Sequence, residues 1–172
     1  MVQLAWQENI TQQGQQDMNF TISGLSPAPF QHLYGLSDEE LIKYNAKRYV
    51  CDASPGFPDR IEMRDAKIGE ALLLVNHTSM DKDTPYKASH AIFIIEGATQ
   101  AFRTQNQIPP VMYNRLLSLR AFDQTGMMLD ADVAKGDDIE RVIERLFGDE
   151  NVVHIDAHNA AQGCFSGRVL RG

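Results

Sequence analysis

Val152-Val153-His154-Ile155-Asp156-Ala157-His158-Asn159 alternates apolar and polar residues from Val153 through His158. A period of two is the mark of a strand, because successive side chains point to opposite faces. Val153, Ile155 and Ala157 then share one face, and His154, Asp156 and His158 share the other. Such alternation fits an antiparallel sheet with one face on a core and one on solvent. It does not fit the continuous apolar strands of a doubly wound parallel sheet.

Moving outward, strand character recurs at 19–23, 46–52, 60–63, 70–76, 90–96, 118–123, 127–133 and 164–170. Ala71–Val75 and Ala91–Ile95 are apolar throughout, the pattern of central strands buried on both faces. Asp123-Gln124-Thr125-Gly126 lies between two of these segments and reads as a hairpin turn. Helices are fewer. Ser37 and Glu40 make a capping box, with Leu36 and Leu41 at the staple positions around it. Pro109-Pro110 opens a second helix, expected to run through Leu117. Ile139, Val142, Ile143, Leu146 and Phe147 form one helical stripe, which starts after Asp137-Asp138 and stops at Gly148. Strands do not alternate with helices. The expectation is therefore a single α+β domain, a largely antiparallel or mixed sheet of six to nine strands with about three helices.

The chain has 172 residues, which suits one domain. Residues 1–17 stand apart: glutamine-rich and poor in apolar side chains, they read as a disordered leader before a domain over 18–172. Hydrophobic content of 43% and charged content of 23% are ordinary for a soluble globular protein. The net charge is −7 with lysines and arginines scattered, which speaks against a nucleic-acid partner. No apolar run is long enough to span a membrane. No basic segment followed by an apolar one marks a secretory signal, so a cytoplasmic location with reduced thiols is expected. Cys51 and Cys164 are too few for a disulfide framework and are not spaced as a zinc module.

Several blocks together carry a resemblance. They are Gly24-Leu25-Ser26-Pro27-Ala28-Pro29-Phe30, Pro55-Gly56-Phe57-Pro58-Asp59-Arg60 and Asp83-Thr84-Pro85-Tyr86-Lys87-Ala88-Ser89-His90-Ala91-Ile92-Phe93. After them come Leu119-Arg120-Ala121-Phe122-Asp123, Met127-Met128-Leu129-Asp130-Ala131-Asp132, and His158-Asn159-Ala160 with Gly163-Cys164. Over about residues 20–170 the chain resembles the bacterial family known as domain of unknown function 1203. The resemblance implies a bacterial cytosolic single-domain protein and brings no established activity. It departs at Asp59, where members of that family carry cysteine after Pro-Gly-Phe-Pro.

Three chemistries fit the residues around 154–164. His154, Asp156 and His158 on one strand face offer two nitrogens and an oxygen to a transition metal, with Cys164 or His90 as a fourth ligand. Against this, alternation puts polar residues on a wet face anyway. Cys164 could serve as a nucleophile, with His158 or His90 as base and Asn159 or Asp156 as the orienting group. Against this, a free cysteine usually behaves as a small hydrophobe. Arg60, Arg120 and Arg168, beside or within strands, suit a small anionic ligand, and Tyr86, Ser89 and His90 form a polar entry to strand 90–96. Against this, the arginines could pair with carboxylates and hold the sheet together. The function is not legible as an activity. The expected site is a polar pocket near the start of strand 90–96 and the 154–164 segment, binding a small anionic ligand. The competing readings are a Cys/His or metal-dependent enzyme and a non-enzymatic homo-oligomeric interaction protein.

Overall fold

A computed structural model describes residues 19–172. The expected leader over 1–17 lies outside the described residues. The domain is α+β, built from two antiparallel sheets and three α-helices.

The larger sheet contains β1 (Phe20–Ser23), β5 (Arg103–Gln105), β6 (Leu117–Phe122), β7 (Met128–Ala134), β8 (His154–Asn159) and β9 (Phe165–Arg171). Their spatial order is β5-β1-β9-β8-β6-β7. The smaller sheet is β2 (Lys47–Val50), β3 (Ala71–Met80) and β4 (Ala88–Ile95), with β3 in the middle. The helices are α1 (Asp38–Ile42), α2 (Pro110–Tyr113) and α3 (Asp138–Phe147).

The helical stripe of α3 behaves as its spacing demands. Ile139, Val142, Ile143, Leu146 and Phe147 are all buried in one cluster with Leu117, Leu119, Ala121, Ile155, Ala157 and Val169 of the large sheet. Each such side chain contributes about 1.5–3 kcal/mol by leaving water. Ser37 caps α1 with the full reciprocal box: its hydroxyl accepts from Glu40 N, and its own N–H donates to the Glu40 carboxylate at 2.8 Å. The 123–126 hairpin forms as expected. Asp123 Oδ1 accepts from Thr125 N and Met127 N at 2.8 and 3.0 Å, and Gly126 supplies a positive φ of 90°.

The other face of the large sheet is not wet. β3 and β4 cover it: the His90 ring meets the His158 ring at 4.8 Å, and His77 lies 5.5 Å from Phe165. His154, Asp156 and His158 are therefore all buried between two sheets. The β8–β9 ladder shifts register between Ala157 and His158. That irregularity lets Phe165 face the small sheet while Val169, further along β9, joins the α3 core.

Four expectations need correction. Residues 60–63 are irregular chain, because the Asp59 carboxylate takes the N–H groups of Ile61 and Glu62 and Met63 adopts φ 55°. β5 was not expected; Arg103-Thr104-Gln105 is a polar edge strand that pairs only with β1 and so lacks apolar alternation. The second helix stops at Tyr113, since Leu117 is fully buried as the first residue of β6. β4 is an edge of its sheet rather than a central strand, and among the described residues the only bridge on its free side is Asp59 with Phe93.

Candidate functional site

The site begins with the irregular segment 56–66. Asp59 is fully buried, and its carboxylate acts as an anchor for backbone: Oδ1 accepts from Ile95 N at 2.7 Å, and Oδ2 accepts from Ile61 N at 3.0 Å and from Glu62 N. Burial pushes its pKa up, while the three N–H donors oppose that shift. The segment is pinned again from the other side. Leu25 N donates to Arg60 O at 2.7 Å, and Gly24 lies so close that a Cβ there would sit 1.9 Å from Ile61 O. These ties aim the Arg60 side chain inward.

Arg60 is only 2% exposed. Its Nε donates to Phe165 O at 2.9 Å, Nη1 to Pro58 O, and Nη2 to Cys164 Sγ at 3.2 Å. Burial works against the guanidinium charge and lowers its pKa from the arginine range. Among the described residues no carboxylate forms a salt bridge with it.

The connection from β8 to β9 supplies the facing wall. Gly163 N bonds Asn159 O at 2.7 Å and Asn159 N bonds Cys164 O at 2.9 Å, a turn that needs the φ of 73° at Gly163. Asn159 Nδ2 then donates to Cys164 Sγ at 3.3 Å. Asn159 Oδ1 is buried with no hydrogen-bond partner among the described residues. Between the two walls lies a cavity of about 500 Å³.

Four of the expected site residues line this cavity together: Arg60, His90, Asn159 and Cys164. Sequence reasoning missed Arg115 and Gln162, which also line it. Arg115 follows α2, and its guanidinium pairs with Asp65 of the 56–66 segment, Nη1 lying 3.0 Å from Oδ2. Apolar wall comes from Pro58, Leu74, Ala91 and Phe93.

The remaining candidates fall elsewhere. His158 stands behind His90, with its Nδ1 3.1 Å from Gly163 O, and does not line the cavity. Burial chiefly, then the charge of Arg120, lowers its pKa to about 4, so it is a neutral imidazole donating Nδ1–H to that carbonyl. The pKa of His90 is also lowered by burial and by Arg120. Cys164 makes no hydrogen bond to either imidazole; its partners are Arg60 and Asn159. Arg168 does not line the cavity. It forms a two-pronged pair with Asp156 at 2.6 and 2.9 Å and also donates to Ser79 O. Arg120 donates to Ser118 Oγ at 3.2 Å and stays off the cavity wall. Tyr86 packs edge-on against Phe122, ring centres 5.9 Å apart.

The metal centre expected from His154, Asp156 and His158 is not assembled. Among the described residues, no three such side chains are placed to hold an ion. The physical reason is prior commitment. The Asp156 carboxylate is engaged by Arg168, His158 is engaged by Gly163, and the His154 ring is stacked on Phe122 at 5.3 Å. His154 Nε2 is left 3.9 Å from Asp156 Oδ2, too far for a hydrogen bond.

No helix among the described residues is long and apolar enough to cross a membrane. No curated protein and no solved structure matches the chain. A family model does match, over residues 56–171, which leaves the Gly24–Phe30 block outside it. That span starts at the cavity-lining Gly56 and contains every residue of the cavity wall. On that match the chain belongs to the family described as "Protein of unknown function (DUF1203)".

Proposed function

We propose that the protein binds a small carboxylate-bearing molecule in the cavity between the 56–66 segment, β4 and the β8–β9 turn. The observation that carries this reading is Arg60. A guanidinium 2% exposed, bonded to two carbonyls and a sulfur, forms no salt bridge among the described residues, and the Asp59 charge reaches it only without direct contact. A buried charge without a counter-charge costs several kcal/mol, and an anion in the cavity offsets that cost. Guanidinium geometry favours carboxylate or phosphate.

The rest of the wall supports a small organic anion. Arg115 adds a second guanidinium, partly balanced by Asp65, and Gln162 and Ser89 add neutral polar groups. Leu74, Ala91 and Phe93 suit a short hydrocarbon portion. The volume of about 500 Å³ lies within the ordinary range of ligand pockets. The setting this implies is a reducing bacterial cytoplasm, in which Cys51 and Cys164 stay free thiols.

The test is thermal unfolding and titration calorimetry with acetate, lactate, succinate and phosphate at constant ionic strength. A ligand at a hundred times its Kd adds about 2.7 kcal/mol. For a domain of this size that raises Tm by about 5–10 °C. The gain is expected for carboxylates and is expected to disappear in Arg60→Gln. Unchanged Tm across the whole panel would overturn the reading.

A further inference from the structure

The two cysteines of this chain sit in opposite hydrogen-bonding surroundings. Cys51 is 1% exposed, and its sulfur faces two carbonyls, Ala53 O at 3.3 Å and Ala66 O at 3.4 Å. There the thiol is the donor, and it behaves as a packed core group. Cys164 is half-buried on the cavity wall and its sulfur is the acceptor. It receives N–H groups from Arg60 Nη2 at 3.2 Å and Asn159 Nδ2 at 3.3 Å. Both donors belong to buried residues, Arg60 held by two carbonyls and Asn159 by the backbone bonds of the 159–164 turn, so little reorganisation is needed when electron density at the sulfur changes.

A second observation points to what the sulfur meets. Asn159 is 5% exposed, lines the cavity, and carries a buried Oδ1 with no donor. That oxygen lies on the same amide whose nitrogen touches Sγ. An acceptor left open next to a sulfur is matched by a ligand that presents an O–H one bond from the atom the sulfur attacks.

We propose that Cys164 forms a reversible covalent bond to the ketone or aldehyde carbon of a small 2-oxo carboxylate held in this cavity. The inference rests on the carboxylate reading above. Arg60 explains why the electrophilic carbon is the one next to the carboxylate. One guanidinium touches Sγ and offers its charge to the ligand, so a carboxylate docked there brings its neighbouring carbon closest to the sulfur. In the addition, a sulfur lone pair forms the S–C bond and the carbonyl π pair moves to oxygen. The proton that leaves the sulfur ends on that oxygen, giving a hydroxyl. The hydroxyl donates to Asn159 Oδ1, the acceptor that lacks a partner among the described residues. No oxidant, reductant or cofactor enters the balance, and reversal returns the free thiol and the intact oxo acid.

The experiment uses the full chain with pyruvate labelled with carbon-13 at the ketone carbon, and lactate as the carboxylate that lacks a carbonyl. The expected result is a protein-bound tetrahedral carbon resonance, distinct from pyruvate hydrate and saturating at one per chain. It is lost in Cys164→Ala and kept in Cys51→Ala. Lactate binding is read by calorimetry on the wild type, and an unchanged far-ultraviolet circular dichroism spectrum with a cooperative thermal transition shows that Cys164→Ala is folded. If lactate binds and no Cys164-dependent tetrahedral signal forms, the covalent inference is overturned while the carboxylate reading stands. If neither acid binds, both are overturned.

Discussion

The layer between the two sheets makes the fold sensitive to mild acid, and His158 allows the size of that sensitivity to be worked out. Its pKa falls from 6.5 to about 4, burial being the main cause, followed by the Arg120 charge. The unfolded chain therefore takes up a proton at this histidine before the folded chain does. Stability falls as pH drops through 6.5 and stops falling below about 4. Taken from pH 8 to pH 4, that difference in proton affinity gives a loss of about 3 kcal/mol from this one ring. His77, His90 and His154 are shifted in the same direction, with burial the leading cause in each, so they add to the effect. Glu70 works in a separate window. Held down to about 2 by Arg64, it adds stability above 4.5 that is lost only as pH falls toward 2. The assay is urea unfolding at intervals from pH 8 to pH 4, comparing the wild type with His158→Asn. The asparagine amide replaces the Nδ1–H donor to Gly163 O without a titrating ring. The wild type should lose about 3 kcal/mol more than the variant across that range. Parallel curves, differing by less than about 0.5 kcal/mol, would refute the claim that His158 is neutral because it is buried.

Two further predictions concern the supports of the site. Arg168→Met strands the Asp156 carboxylate, which is 1% exposed, and should cost about 3–5 kcal/mol in urea unfolding. Adding Asp156→Asn should restore at least half of that loss, and a single variant as stable as the wild type would contradict the pairing. Gly24→Ala puts a methyl group 1.9 Å from Ile61 O, so the 56–66 segment must shift, at a cost of about 1–3 kcal/mol. The same substitution should weaken lactate binding, because Leu25 N holds the carbonyl of Arg60. Wild-type stability together with wild-type affinity would show that the close approach does not position the site.

What could be read in the sequence was local. The α3 stripe, the Ser37–Glu40 box and the 123–126 hairpin depend on neighbours within a few residues, and each forms as its pattern requires. The β8 alternation was also legible: Ile155 and Ala157 were expected to share one face, and that face packs into the α3 core. What covers the opposite face was not. The partners of that face are His77 and His90, and no period in the sequence links them to residues beyond 150. The same distance hid Arg115. Its partner is Asp65, fifty positions earlier, and nothing local to the helix expected over 109–117 points to that pairing. Arg60 was noticed for the wrong reason, as a strand arginine. Its burial comes from the Pro58–Asp65 bridge and the Asp59 anchor, both features of irregular chain.

Asp59 and Arg60 are adjacent in sequence and both buried, and they do not neutralise each other by direct contact. The carboxylate is spent on three backbone N–H groups, one of them in β4, while two of the guanidinium's bonds go to carbonyls, one of them in β9. The fold gains a brace between its two sheets from this division, because one residue grips each sheet. The same division leaves the arginine without a carboxylate in direct contact among the described residues, where the brace borders a cavity. Had the pair met each other, the brace would be lost and the cavity would be neutral. The charge in the site is therefore a consequence of how the sheets are joined, so a substitution that neutralises Asp59 should first loosen β4, read by amide hydrogen exchange at Ile95, and only then weaken the proposed anion binding.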